Sequence, residues 1–290
     1  MSWLGNLLTA LATGCIYSIM AVGVVLIYRT SRVLAFHVGE VGMLAAYAMV
    51  TIWTPKAGPL QTIEAILAGC AVALLAGIVM YILVERLGGR FGHFIGTVVT
   101  IAATIALNGL MSLIWGGQTY RLPLFPGAIS VAGANLPLQN IAVIGISFMT
   151  LTSIGILMRY SALGIDMQAI ACNLPLSRLH GIPVQTTLCA AWVFGSMLAA
   201  LAGVLIASVS VVSIEGSFIG ISAIVAALIG GMTSIGFAIV GAFLLAACET
   251  LVTMFGEPRF TPVIPVICLL ILLIVRPTGL AGRSENISRV

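Results

Sequence analysis

Charge is what this sequence has least of. Only 7% of its 290 residues are Asp, Glu, Lys or Arg, against roughly 25% in an average soluble domain. A water-soluble fold could not cover its surface with so few charges, so lipid must be the solvent for most of the chain. Lysine is nearly absent: Lys56, in Thr-Pro-Lys-Ala, is the only one. That excludes a phosphate-cradling GxxxxGK[ST] loop, and with it ATP hydrolysis by this chain itself. HExxH, GxSxG and EF-hand patterns are missing too, so an enzyme, including an intramembrane one, has no nucleophile–base pattern to rest on. No two of the six cysteines have CxxC spacing, and five lie in apolar stretches where Cys acts as a small packing residue. Neither a zinc site nor a disulfide framework is indicated, and no cofactor is expected in the chain. The basic residues stand singly or in pairs without interleaved aromatics, which excludes nucleic acid as a partner.

What is there is hydrophobic: 61% of residues, with a mean hydropathy of +1.21. A membrane-crossing helix needs about 20 mainly apolar residues. On that basis the spans are Leu4–Tyr28, Val33–Trp53, Ile63–Val84, Phe94–Trp115, Leu138–Met158, Thr187–Val212, Phe218–Gly231, Ile235–Phe255 and Pro262–Val275. The seventh and ninth are short, so the expectation is an all-α, polytopic bundle of eight or nine spans forming one transmembrane domain over residues 1–290. The first basic residue, Arg29, follows the first apolar run, so that run is expected to stay as a membrane helix. With the polar interval after Met158 placed in the cytoplasm, the inside segments hold Arg29, Arg32, Arg86, Arg90, Arg159, Arg178, Arg276, Arg283 and Arg289. The outside holds Lys56, Arg121 and Arg259. This bias puts the N-terminus outside and the C-terminus in the cytoplasm of a bacterial-type inner membrane. The outside loop Gly116–Pro137, rich in Gly and Pro, is expected to be a compact hairpin or turn cluster.

Ionisable groups inside spans cost roughly 2.5–3.5 kcal/mol each at mid-helix and call for an explanation. Glu249 lies deep in the eighth span, and Glu40 follows His37 by three residues in the second, a spacing that puts both on one helical face. Thr104 and Asn108 form a polar stripe one turn apart in the fourth span. These five residues, His37, Glu40, Thr104, Asn108 and Glu249, are the candidates for a hydrated translocation path. The alternative is that each is satisfied by a neighbouring backbone or hydroxyl and only ties the bundle together, or, for the glutamates, that the carboxyl is protonated. Gly195, Ala199 and Gly203 recur every four residues in the sixth span, a small-residue face read as close helix packing.

The inside loop Arg159–Thr186 is longer than an ordinary connector. Asp166 can cap a short helix, Asn173 before Leu174-Pro175 can end one helical turn and start another, and Gly181-Ile-Pro183 stops the second. Two short amphipathic helices would present Met167, Ile170, Leu176 and Leu179, a docking surface for a cytoplasmic partner.

At this loop the sequence resembles the permease subunits of branched-chain amino acid ABC transporters, the LivH-type family. The family's Arg-Tyr-Ser…Gly…Ala…Leu-Gly-Ile pattern is met by Arg159-Tyr160-Ser161, Gly164, Ala169, Leu179 and Gly181-Ile182, with His180 between the last two. The likeness also takes in Gly14, Tyr17 and Gly23, then Gly195 through Ala202-Gly203-Val204-Leu205. Gly230-Gly231, Ser234-Ile235, Gly241, Glu249 and Arg276-Pro-Thr-Gly-Leu-Ala-Gly-Arg283 complete it. The resemblance implies an importer in which this chain pairs with a second, paralogous permease. Two cytoplasmic ATPase subunits, carrying ATP and Mg, would dock on the loops, and a periplasmic solute-binding protein would deliver cargo. Carried over, Asp166, Gln168, Ala169, Asn173, Ser177, Arg178, Leu179 and Gly181 become the segment that couples to the ATPase. The family's Asn-Phe-Ala-His-Gly-Glu reads here Ala35-Phe36-His37-Val38-Gly39-Glu40, and Met232-Thr233 stands where Ile-Gly is usual. A one-residue shift turns a helical side chain by about 100°, so His37 does not inherit the family histidine's place. The expected cargo is a small neutral or zwitterionic solute, branched-chain or other apolar amino acids first. The alternatives are urea or short amides, or a self-sufficient secondary transporter, which would show inverted repeats and broken midplane helices.

Overall fold

The computed structural model describes residues 3–53, 59–91, 93–131, 134–256, 258–276 and 279–280. Lys56, Arg283 and Arg289, three of the charges used above to orient the chain, lie outside the described residues. Eleven α-helices follow one another among the described residues: α1 Trp3–Ser31, α2 Val38–Ile52, α3 Pro59–Phe91, α4 His93–Trp115, α5 Leu138–Tyr160, α6 Ala162–Cys172, α7 Leu174–Leu179, α8 Val184–Val209, α9 Ile219–Gly230, α10 Ile235–Phe255 and α11 Ile264–Val275. Six of them, α1, α3, α4, α5, α8 and α10, are long and apolar enough to cross a membrane. The seventh and ninth expected spans are α9 and α11, lengthened by 3-10 turns at Ile214–Phe218 and Pro258–Val263. The loop after α4 contains the expected hairpin, β1 Ala128–Val131 paired antiparallel with β2 Ala134–Pro137. Among the described residues, this small sheet and an isolated bridge between Tyr120 and Val212 are the departures from an all-α fold.

The second span begins later than its hydropathy suggests. Arg32 takes a left-handed φ of 57° and stops α1, and residues 33–36 run on without helix before α2 starts at Val38. Non-helical backbone is tolerated at membrane depth only where protein satisfies it, and here α4 supplies the partners. Thr97 Oγ1 accepts from the Leu34 amide at 3.3 Å, and Thr100 Oγ1 accepts from the Phe36 amide at 3.4 Å while donating to the Leu34 carbonyl at 2.6 Å. Hydropathy registers only that the segment is apolar, so it reads the stretch as helix.

Burial sorts the helices into layers. The α1 window is 83% buried and the α4 window 11%, so α1 runs through the middle while α4 offers most of its surface to lipid or to another chain. α8 is the second central element and packs on α1, α2 and α3. Its small-residue stripe is divided between partners. A Cβ on Gly195 would strike Ile27 of α1, one on Gly203 would strike the backbone of Gly42 in α2, and one on Gly42 would meet the Ala199 carbonyl at 2.7 Å. From the other side, a Cβ on Gly77 of α3 would meet Val193 Cα at 2.7 Å. Three helices thus reach α8 at backbone distance, which only glycine allows.

At one end of the bundle Tyr47 stacks on Trp115 at 5.0 Å, meets Tyr120 edge-on at 6.1 Å and donates to the Gln118 carbonyl at 3.1 Å. A backbone bridge from Tyr120 to Val212 ties the loop after α4 to the segment leaving α8. At the other end Gly231 closes α9 in a left-handed turn with φ of 98°, and the Leu280 amide donates to the Ile229 carbonyl at 2.8 Å.

Candidate functional site

Three of the five residues expected along a path come together. A cavity of about 200 Å³ is lined by Phe36 and Glu40, by Ile101, Thr104 and Asn108 of α4, and by Ser217, Phe218 and Ile221 at the start of α9. The reason is local. Gly39 and Gly220 lie against each other so closely that a Cβ on either would enter the other's backbone, which draws the first turns of α2 and α9 together beside α4. Glu40 sits in that first turn, only 6% exposed. Ser217 lines the same cavity, and Glu40 Oε2 has no hydrogen-bond partner among the described residues. Thr104 spends its proton on the Thr100 carbonyl at 3.1 Å. Phe218, Ile221 and Ile101 are exposed on their outer sides, so one wall of the cavity opens away from the bundle.

His37 does not share that face. It lies one residue before α2 as its N-cap, fully buried, with its ring stacked on Trp192 of α8 at a centroid distance of 5.6 Å. Neither ring nitrogen has a partner among the described residues. The i, i+3 spacing does not decide the matter: the His37 backbone is helical, with φ of −71° and ψ of −5°, yet its ring turns to α8 while Glu40 turns to the cavity. Glu249 is elsewhere again, between α10 and α1, where its Oε2 accepts the Tyr17 hydroxyl at 2.7 Å. A phenol from the neighbouring helix thus satisfies it.

The inside loop folds into two short helices with side-chain caps. Asn173 does what its position suggests: it ends α6, and its Oδ1 accepts the Leu176 amide at 3.0 Å to start α7. Asp166 does not cap. It lies inside α6, whose N-cap is Ser161, accepting from the Gly164 amide at 3.0 Å. A Ser directly after α5 offers the nearer oxygen, so the helix starts a turn earlier than the Asp suggests. Gly181 has a φ of 78° and terminates the segment before α8. Of the apolar residues expected to face a partner, Met167 and Ile170 turn inward and are buried, whereas Leu176 and Leu179 are exposed, Leu179 at 85%. Arg178 is exposed beside them, Ala169 and Ser177 help set α6 and α7, and Gln168 Nε2 donates to the Met158 carbonyl at the end of α5.

Two features escaped the sequence. Arg32 Nη2 donates to the Ala171 carbonyl at 3.1 Å, which joins the end of α1 to the end of α6. Beneath the two short helices lies a cavity of about 500 Å³ whose lining includes Arg32, Val84, Glu85, Leu174, Arg178 and Trp192. Neither has a local motif. Both depend on residues more than a hundred positions apart.

The layered apolar bundle with its six long apolar helices and the capped segment at one end define a multi-pass membrane protein. The family model described as branched-chain amino acid transport system / permease component matches residues 6–275, and the chain belongs to that family. It is 27% identical to the high-affinity branched-chain amino acid transport system permease protein LivH of Salmonella typhimurium, over 98% of this chain and 96% of that protein. It is also 28% identical to the fructose import permease protein FruF of Bifidobacterium longum, over 98% of this chain and 81% of that one. Among solved structures, PsaBC from Streptococcus pneumoniae in complex with Fab aligns over 95% of this chain and 92% of that one, at 14% identity and a TM-score of 0.48.

Proposed function

We propose that the chain is the membrane-spanning half of an ATP-driven importer, moving small neutral or zwitterionic solutes, branched-chain or other apolar amino acids first. The observation that carries the reading is the Arg159–Thr186 segment: two capped helices, α6 anchored to the ends of α1 and α5, with Arg178, Leu176 and Leu179 turned out to solvent. A connector with no partner has no use for an exposed Leu-Arg-Leu face on a braced support. Two cytoplasmic ATPases, bearing ATP and Mg, dock there. A second, paralogous permease completes the passage, and a periplasmic binding protein supplies the cargo. The Arg32–Ala171 bond places the end of α1 on the same side as this segment, which supports an N-terminus outside, a C-terminus in the cytoplasm of the inner membrane, and nine crossings once α2, α9 and α11 are counted with the six long helices.

Copurification in mild detergent tests this. ATPase subunits come down with the intact chain and are lost on Arg178→Glu or on deletion of residues 166–181. Concentrative uptake by the purified chain alone, in vesicles without nucleotide, refutes it. The likeness to FruF keeps a sugar as the second reading for the cargo, and uptake of L-leucine against D-fructose separates the two.

A further inference from the structure

Resting on the importer reading, we infer that the cavity between α2, α4 and α9 is a recognition site for a primary ammonium group, with Glu40 as the residue that binds it. The site is built rather than incidental. Its one ionisable side chain is 94% buried, being 6% exposed, and presents an oxygen with no donor among the described residues. No arginine, lysine or histidine lines the cavity, so nothing in its wall balances a carboxylate. A desolvated carboxylate without a counter-charge draws a cation far more strongly than it does in water. Around it the chemistry is sparse. The Thr104 oxygen still has acceptor capacity, since its proton goes to Thr100, and the Asn108 amide makes no hydrogen bond to the described residues. The rest of the wall is Ser217 together with the apolar Phe36, Ile101, Phe218 and Ile221.

That inventory suits one cationic head with an apolar body. An ammonium donates three hydrogen bonds, and the cavity offers acceptors on Glu40, Thr104 and Asn108. A sugar carries hydroxyls around its whole ring, and apolar walls would leave several of them unpaired, a heavy penalty once water is excluded. The open wall leaves room for the remainder of a solute, or for the second permease to close over it. The inference therefore assigns the cargo path to amine-bearing solutes rather than to uncharged ones, and makes Glu40 the selecting residue.

Thiol labelling tests this on the purified chain without any ATPase or binding protein, so its outcome is separate from that of the copurification above. In a background with the six native cysteines replaced by Ala or Ser, Ile221→Cys, in the apolar wall of the cavity, is modified by the cationic reagent 2-aminoethyl methanethiosulfonate and by its anionic 2-sulfonatoethyl counterpart. Each rate is normalised to a free thiol. The cation reacts faster by about tenfold or more, the preference falls to about one on Glu40→Gln, and it persists on Glu40→Asp. 3-Methylbutylamine at millimolar concentration slows the labelling when Glu40 is present, and 4-methylpentanoate and D-fructose do not. Equal rates for the two reagents, a preference that survives Glu40→Gln, or no protection by the amine overturns the inference. Thermal stability supplies a second readout. Removing an unbalanced buried charge leaves the melting point of Glu40→Gln unchanged or raised, whereas a glutamate held only for structure would lower it.

Discussion

Gly203→Ala probes the approach of α2 to α8 at backbone distance. The added Cβ falls on Cα, C and O of Gly42, where carbon atoms normally keep about 3.5–4.0 Å apart. All three are main-chain atoms, so no side chain can swing aside, and α2 and α8 must part by about 1 Å. Overpacking of a tight interior costs about 1–3 kcal/mol, and a rigid obstacle places this case near the top of that range. The better helix propensity of Ala returns nearly 1 kcal/mol, which leaves a net loss of about 2 kcal/mol. For a chain of this size that corresponds to a fall in melting temperature of roughly 4–8 °C. Gly109→Ala in α4 and Gly145→Ala in α5 are the matched controls, since a Cβ at either meets nothing within 4 Å. Both should melt at the parent temperature or up to about 2 °C above it. Thermal melting of the isolated chain in one detergent, followed by fluorescence-detected gel filtration, reads all three. If Gly203→Ala melts with the parent, or if the controls lose as much as it does, the close-packed centre is wrong.

Three further outcomes follow from named contacts. Tyr17→Phe strips Glu249 of its hydroxyl donor and should cost about 0.6–1.7 kcal/mol, while Glu249→Gln keeps an acceptor for Tyr17 and should melt near the parent; uptake unaffected by Glu249→Gln removes that residue from the transport step. Arg32→Ala breaks the link from α1 to α6, so in the assembled transporter uptake should fall about five- to tenfold while ATP is still hydrolysed, and undiminished uptake would show the link to be idle. Asn173→Ala removes the cap between α6 and α7, worth about 1 kcal/mol, and hydrogen exchange at the Leu176 amide should quicken by roughly fivefold; an unchanged rate would mean that α7 is held by something else.

Which parts of this molecule could be read in advance depends on how local their causes are. Hydropathy is a property of consecutive residues, so the long apolar helices were legible. The Gly195–Ala199–Gly203 stripe was legible as packing for the same reason, although nothing in its spacing tells that α1 and α2 share it. Asn173 before Leu174-Pro175 carries its cap in four adjacent residues and was found. Asp166 shows the limit of that logic, since two candidate oxygens competed and the one closer to the end of α5 prevailed. The grouping of Glu40 with Thr104 and Asn108 required α2 and α4 to be neighbours, which polarity alone only hinted at. His37 turns to Trp192, a neighbour more than 150 positions away that local spacing does not disclose, and hydropathy hides the unwinding of residues 33–36 just before it. Hydroxyls of Thr97 and Thr100, more than sixty residues away, make that unwinding affordable.

The fastening of α6 has a mechanical meaning. Its glycine, Gly164, lies against the backbone of Leu157 and Met158, and Gln168 holds the Met158 carbonyl, so α6 is fixed to the very tip of α5. α5 has 23 residues and is therefore a rod about 34 Å long. A tilt of only about 3° about its far end moves the near tip by roughly 2 Å. On the proposed importer reading, a partner that grips this segment works at the end of a long crank, and a stroke no larger than an atom's width tilts the whole rod.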